Sequence, residues 1–107
     1  MTRYEVNLEV DVEVAGAFVE WLACHVADML ALPGFLGAEA FEVELPPGAR
    51  RAYCVVYRLA DRAALQRYLI EQAPRMRAEG MRRFGGRFSA TRRVLAELPF
   101  SAPAPAP

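Results

Sequence analysis

Residues Ala52 to Tyr57 read Ala, Tyr, Cys, Val, Val, Tyr, a run that is apolar on both faces of any strand it forms. Such a strand is covered on both sides, which puts it inside a sheet with one layer above and another below. A chain of 107 residues makes a single domain with one core. The helices it can supply cover one face of a sheet, so the second cover has to be found elsewhere.

The rest of the order follows from hydrophobic period. From Tyr4 to Val14 apolar residues (Tyr4, Val6, Leu8, Val10, Val12, Val14) alternate with Glu5, Asn7, Glu9, Asp11 and Glu13, the pattern of a half-buried strand. After Gly16 the period changes: Phe18, Trp21, Leu22, His25, Val26 and Met29 make one helical stripe, stopped by Pro33 and Gly34. Phe35 to Leu45 and Arg51 to Leu59 are extended runs joined through Pro46, Pro47, Gly48 and Ala49, a hairpin signature. Asp61 caps a helix carrying Leu65, Tyr68 and Leu69, and Pro74 starts a second segment with Met76, Met81 and Phe84 facing inward. Gly85 and Gly86 end it, and Phe88, Ala90, Val94, Ala96 and Leu98 mark a last strand.

This order predicts an α+β fold, the ferredoxin-like βαββαβ sandwich, with antiparallel sheet order 4-1-3-2 and the helices on one face. The domain is expected over residues 1–98, and residues 99–107, an Ala/Pro alternation, as an extended tail. On the open face the first strand presents Glu5, Asn7, Glu9, Asp11 and Glu13 to Arg87, Ser89, Thr91 and Arg93 of the last, a half that water tolerates. The second and third strands keep an apolar patch there, large enough for association. The expected partner is a second copy of the chain, in a homodimer whose open faces pack together or enclose a chamber.

Charge excludes several partners. Thirteen basic residues, all arginine, balance thirteen acids, so no net field draws the chain to nucleic acid or an anionic membrane. The halves differ, with net −8 over residues 1–49 and +8 over residues 50–107, which fits internal and intersubunit pairing. Seven arginines between Arg75 and Arg93 suggest an anion site or RNA, and Arg51 to Val56 match part of an RNA-recognition strand. Val55 stands where that module needs a second stacking aromatic, and no nucleic-acid role is expected. The first residues lack a signal-peptide core and the longest apolar stretch is broken at Pro33, so a cytoplasmic protein is expected. Cys24 and Cys54 have no metal-ligand spacing and read as buried thiols.

Few residues carry chemistry. No zinc motif, phosphate loop or nucleophile elbow occurs, and neither metal nor cofactor is expected. His25, the sole histidine, follows Trp21 by one turn and precedes Asp28 by three residues. It reads as a partly buried histidine bonded to a backbone carbonyl, or as a general base or haem ligand oriented by Asp28. Asn7, Trp21 and His25 are the residue types used by cofactor-free and haem-degrading monooxygenases of the dimeric α/β-barrel kind, which suggests an oxygenase or isomerase as a second reading.

Tyr4-Glu5-Val6-Asn7-Leu8-Glu9-Val10, Trp21 with His25-Val26, Pro33-Gly34-Phe35, Tyr57, Arg67-Tyr68-Leu69, Ala73-Pro74-Arg75-Met76-Arg77 and Arg83-Phe84-Gly85-Gly86-Arg87-Phe88 together resemble an uncharacterised family of short bacterial proteins, a domain of unknown function grouped with the dimeric α/β-barrel superfamily. The similarity covers about residues 3 to 95 and implies a ferredoxin-like dimer, with no catalytic residues to carry over. The leading expectation is a homodimer that binds a small organic or anionic ligand in a cleft lined by Trp21, His25, Tyr57, Arg58 and Arg92, in a sensing or accessory role. A third expectation is an interaction module without a ligand.

Overall fold

In the computed structural model, which describes all residues from Met1 to Pro107, each period read above has become an element. They are β1 (Thr2–Asp11), α1 (Ala15–Leu30), β2 (Phe35–Val43), β3 (Arg50–Leu59), α2 (Arg62–Glu71), α3 (Ala73–Phe84) and β4 (Phe88–Ala96), with short 3-10 turns at Val12–Val14 and Gly85–Arg87. The sheet is antiparallel throughout in the order β2-β3-β1-β4. This is the expected 4-1-3-2 order read from the opposite edge, and the fold is the ferredoxin-like sandwich. β3, apolar on both faces, is interior.

The core lies between one sheet face and the helices. Tyr4, Leu8 and Val10 of β1 and Val55, Tyr57 and Leu59 of β3 meet Phe18, Leu22 and Met29 of α1, Leu65 and Tyr68 of α2 and Met76 and Phe84 of α3. α2 begins where its cap does: the Ala64 amide donates to Asp61 Oδ1 at 2.8 Å, satisfying one of the amides a helix start leaves free. Gly34, at φ +84°, turns the chain from α1 into β2 in a conformation that disfavours a side chain, and a Cβ there would lie 2.5 Å from that of Ala64.

Several local expectations are corrected. β1 stops at Asp11, because Val12 to Val14 leave the ladder for a 3-10 turn that the Val12 amide ties to Ala49 O at 3.0 Å. Plain alternation along β2 would put Phe35 on one face with Phe41 and Val43, and it does not lie there. A bulge between Phe35 and Gly37 turns it inward, so that Phe35 is buried while Phe41 and Val43 face out. Met81 is exposed, and buried Gly80 takes the inward position under the Trp21 ring. Val94 and Leu98 are exposed near the end of the sheet, and Cys24 is exposed on α1.

The second sheet face is open. Its β1/β4 half is polar: Arg93 donates to Glu5 Oε1 at 2.7 Å, Asn7 Nδ2 donates to the same oxygen at 2.8 Å, and Arg87 bonds Asp11 and Glu13. These bonds hold the Glu5 carboxyl below the usual range, Asn7 contributing most, although the residue is buried. The β2/β3 half carries Phe41 and Val43, both exposed, beside Ala52, Cys54 and Val56. No helix is long and apolar enough to cross a membrane.

Candidate ligand cavity

Strand alternation sends Tyr4, Val6 and Leu8 of β1, Val55 and Tyr57 of β3, and Phe88 and Arg92 of β4 toward the helices. α1 answers with Trp21, Leu22, His25 and Met29, which its 3.6-residue period places on one face, while α2 adds Tyr68 and α3 adds Arg77. Between them lies a cavity of about 50 Å³. Of its lining residues only Arg92, on an edge strand, is exposed.

Four of the five residues expected at a site, Trp21, His25, Tyr57 and Arg92, line this cavity together. Arg58 does not. It follows Tyr57 directly on β3, so its side chain leaves from the opposite sheet face, where it lies over Gly37 so closely that a Cβ there would come within 2.0 Å of Nη2. Asn7 is also on the open face, bonded to Glu5 rather than facing His25.

Tyr4, Tyr68 and Arg77 complete the lining. The Tyr4 ring lies 6.2 Å from Tyr57 and 5.8 Å from Tyr68, and Phe35 packs edge-on against Tyr57 and Tyr68. Arg77 Nη2 donates to the Tyr4 hydroxyl at 2.9 Å, while Arg77 Nε is buried and has no partner. A buried donor without an acceptor is costly, and it is satisfied when an acceptor enters. Tyr4 and Tyr68 sit on apolar stripes and read in the sequence as plain core. Arg77 is one arginine among seven in its stretch, with nothing local to single it out.

The electrostatics are one-sided. Two guanidinium groups, Arg77 and Arg92, line the cavity and no carboxylate does. Burial pushes the Tyr68 hydroxyl up to about 12, helped by neighbouring Tyr4, and burial raises Tyr57 more strongly still. Both stay protonated at neutral pH and can donate. Burial lowers the His25 pKa from its ordinary 6.5; Asp28 opposes the shift and Arg92 reinforces it. The imidazole is therefore neutral at pH 7 and able to accept a proton. Its ring stacks on Trp21, centroids 4.6 Å apart, and the hydrogen bonds include none from His25 to Asp28 or to a backbone carbonyl at the helix end.

Residues 1–98 match the family described as Domain of unknown function (DUF4286). The chain belongs to that family. No curated protein matches it. Among solved structures, HapK from Hahella chejuensis superposes with a TM-score of 0.70 at 20% identity, covering 98% of this chain and 100% of that one. SnoaB, a cofactor-independent oxygenase from Streptomyces nogalater, gives 0.64 at 15%, covering 91% and 93%. An antibiotic biosynthesis monooxygenase gives 0.65 at 17%, covering 92% and 100%. At these identities the likeness establishes a shared ferredoxin-like fold.

Proposed function

We propose that this DUF4286 chain is a homodimer that binds a small, planar organic anion in the cavity of Trp21, His25, Tyr57 and Arg92, completed by Tyr4, Tyr68 and Arg77, in a sensing or accessory role. One observation carries the reading: the cavity is apolar and aromatic, yet two arginines and no carboxylate line it, and Arg77 Nε lacks an acceptor. Such a pocket favours an aromatic body with a carboxylate, phenolate or enolate oxygen. 1-Naphthoate tested against 1-naphthamide, its neutral counterpart, isolates the charge. The acid should stabilise the protein in thermal unfolding and the amide should not; equal shifts, or none, count against the reading.

The homodimer rests on the open sheet face. Phe41 and Val43 are exposed beside Ala52, Cys54 and Val56, and a hollow of about 300 Å³ runs past Asn7, Val43, Ala52 and Thr91. A second copy laid on this face would cover the apolar half and meet the ion pairs of the other. A cytoplasmic setting, and the division into a domain over 1–98 and a tail over 99–107, remain part of this proposal.

A second reading, a cofactor-free oxygenase or isomerase, is favoured by His25: it is neutral at pH 7 and lines the cavity, so it can take a proton from a bound hydroxyarene. Oxygen uptake with a hydroxynaphthalene, abolished in His25→Gln, would support it; uptake indifferent to that substitution would remove His25 as the base.

A further inference from the structure

The cavity as it stands is too small for the ligands its chemistry suits. Benzene occupies an apolar cavity of roughly 150 Å³, three times the space enclosed here. Directly outside, between α1 and α3, lies a groove of about 360 Å³ bordered by Cys24, Asp28, Arg75, Met76 and Glu79. The cavity and the groove share two lining residues, Trp21 and His25.

Gly80 bears on which of the two gives way. Glycine weakens a helix interior relative to alanine, and Gly80 has no left-handed backbone to require it, unlike Gly34 and Gly85. Space requires it instead: a Cβ at Gly80 would lie 2.8 Å from Trp21 Cη2 and 3.1 Å from Cζ2. The indole is thus packed by Phe18 at 5.5 Å, Phe84 at 6.0 Å and the His25 ring, and meets bare backbone at α3.

We infer that the Trp21 ring, seated against Gly80 and stacked on His25, is the movable wall between cavity and groove, and that its displacement joins them into one chamber whose size sets which ligands fit. The purpose of this wall rests on the ligand reading above; its motion does not. Gly80 is then a positioning residue for Trp21.

Because Trp21 is the only tryptophan, 5-fluorotryptophan gives a single fluorine probe at this position. The free protein should show exchange broadening of that resonance, and 1-naphthoate should sharpen it at a new shift. Gly80→Ala, whose Cβ takes the ring's seat on α3, should abolish the exchange by holding the ring in its displaced position and should tighten 1-naphthoate, because the joined chamber is then populated before the ligand arrives. Trp21→Ala should admit pyrene-1-carboxylate, which the wild type excludes, and Trp21→Phe, which keeps an aromatic against Phe18 and Phe84, should do so to a lesser degree. A resonance without exchange, unmoved by Gly80→Ala, with the size limit unchanged in both Trp21 variants, overturns the wall. If 1-naphthoate still binds in that case, the ligand reading survives alone. If the ring exchanges and yet no naphthoate or pyrene carboxylate binds any variant, the wall stands and the ligand reading fails.

Discussion

The Trp21 indole and the His25 imidazole stack with planes 21° from parallel. The only tryptophan therefore reports directly on the only histidine. A protonated imidazole quenches indole emission, so tryptophan fluorescence should fall on acidification with a midpoint below 6.5, the direction in which burial moves His25. His25→Gln should remove that transition, and a midpoint at or above 6.5 would contradict the assignment.

The same shift sets a stability trend. The unfolded chain takes up the His25 proton at a higher pH than the folded one, so the contribution is complete above about pH 6.5 and is lost as pH falls through the folded-state midpoint. Urea midpoints at pH 7.5 and pH 5.5 should differ more in the wild type than in His25→Gln. An equal difference in both would place the pH dependence elsewhere.

Arg77 and Arg92 are the cavity's only cations apart from a protonated His25. Replacing either by methionine keeps much of the apolar stem and removes the charge, and should weaken 1-naphthoate by about tenfold, the scale of one charge-assisted hydrogen bond. Calorimetric titration checks this. Arg58→Met, on the other sheet face, serves as the control and should leave the affinity unchanged.

Gly34 faces two constraints together, a positive φ and the Ala64 Cβ. Gly34→Ala should cost about 2 kcal/mol or more in denaturant unfolding, against about 1 kcal/mol or less for the unconstrained and exposed Gly48→Ala. Similar costs at the two sites would mean the α1 to β2 turn relaxes freely.

Phe41 is the largest exposed apolar side chain of the open face. Phe41→Arg should convert a species of twice the chain mass into one of single mass in light-scattering chromatography at micromolar concentration, with the circular dichroism spectrum unchanged. A wild type that already elutes at single mass would remove the homodimer.

The strand order was legible because each element announces itself by period: β1 by alternation, α1 by its stripe, and β3 by being apolar on both faces. The bulge at Phe35 to Gly37 was not, since one extra residue inverts a strand's parity without any change in composition. The end of β1 is masked in the sequence for a related reason. Val12 and Val14 continue the alternation while the backbone has already turned. Trp21 and His25 stand one turn apart on the apolar stripe of α1, and that spacing alone puts both in the cavity wall. Arg58 has the residue type an anion site uses, but its adjacency to Tyr57 on β3 sends its side chain to the other sheet face. The Tyr4 to Arg77 bond joins residues 73 positions apart, a proximity that only the folded chain reveals.

β3 stands between two environments, with Val55 and Tyr57 in the cavity wall and Cys54 and Val56 on the open sheet face. Neighbouring codons thus address separate properties. Substitutions at even positions alter the open sheet face and leave the cavity lining as it is, while odd positions do the reverse, so an engineer, or selection, can retune the two surfaces one at a time on a single ten-residue segment.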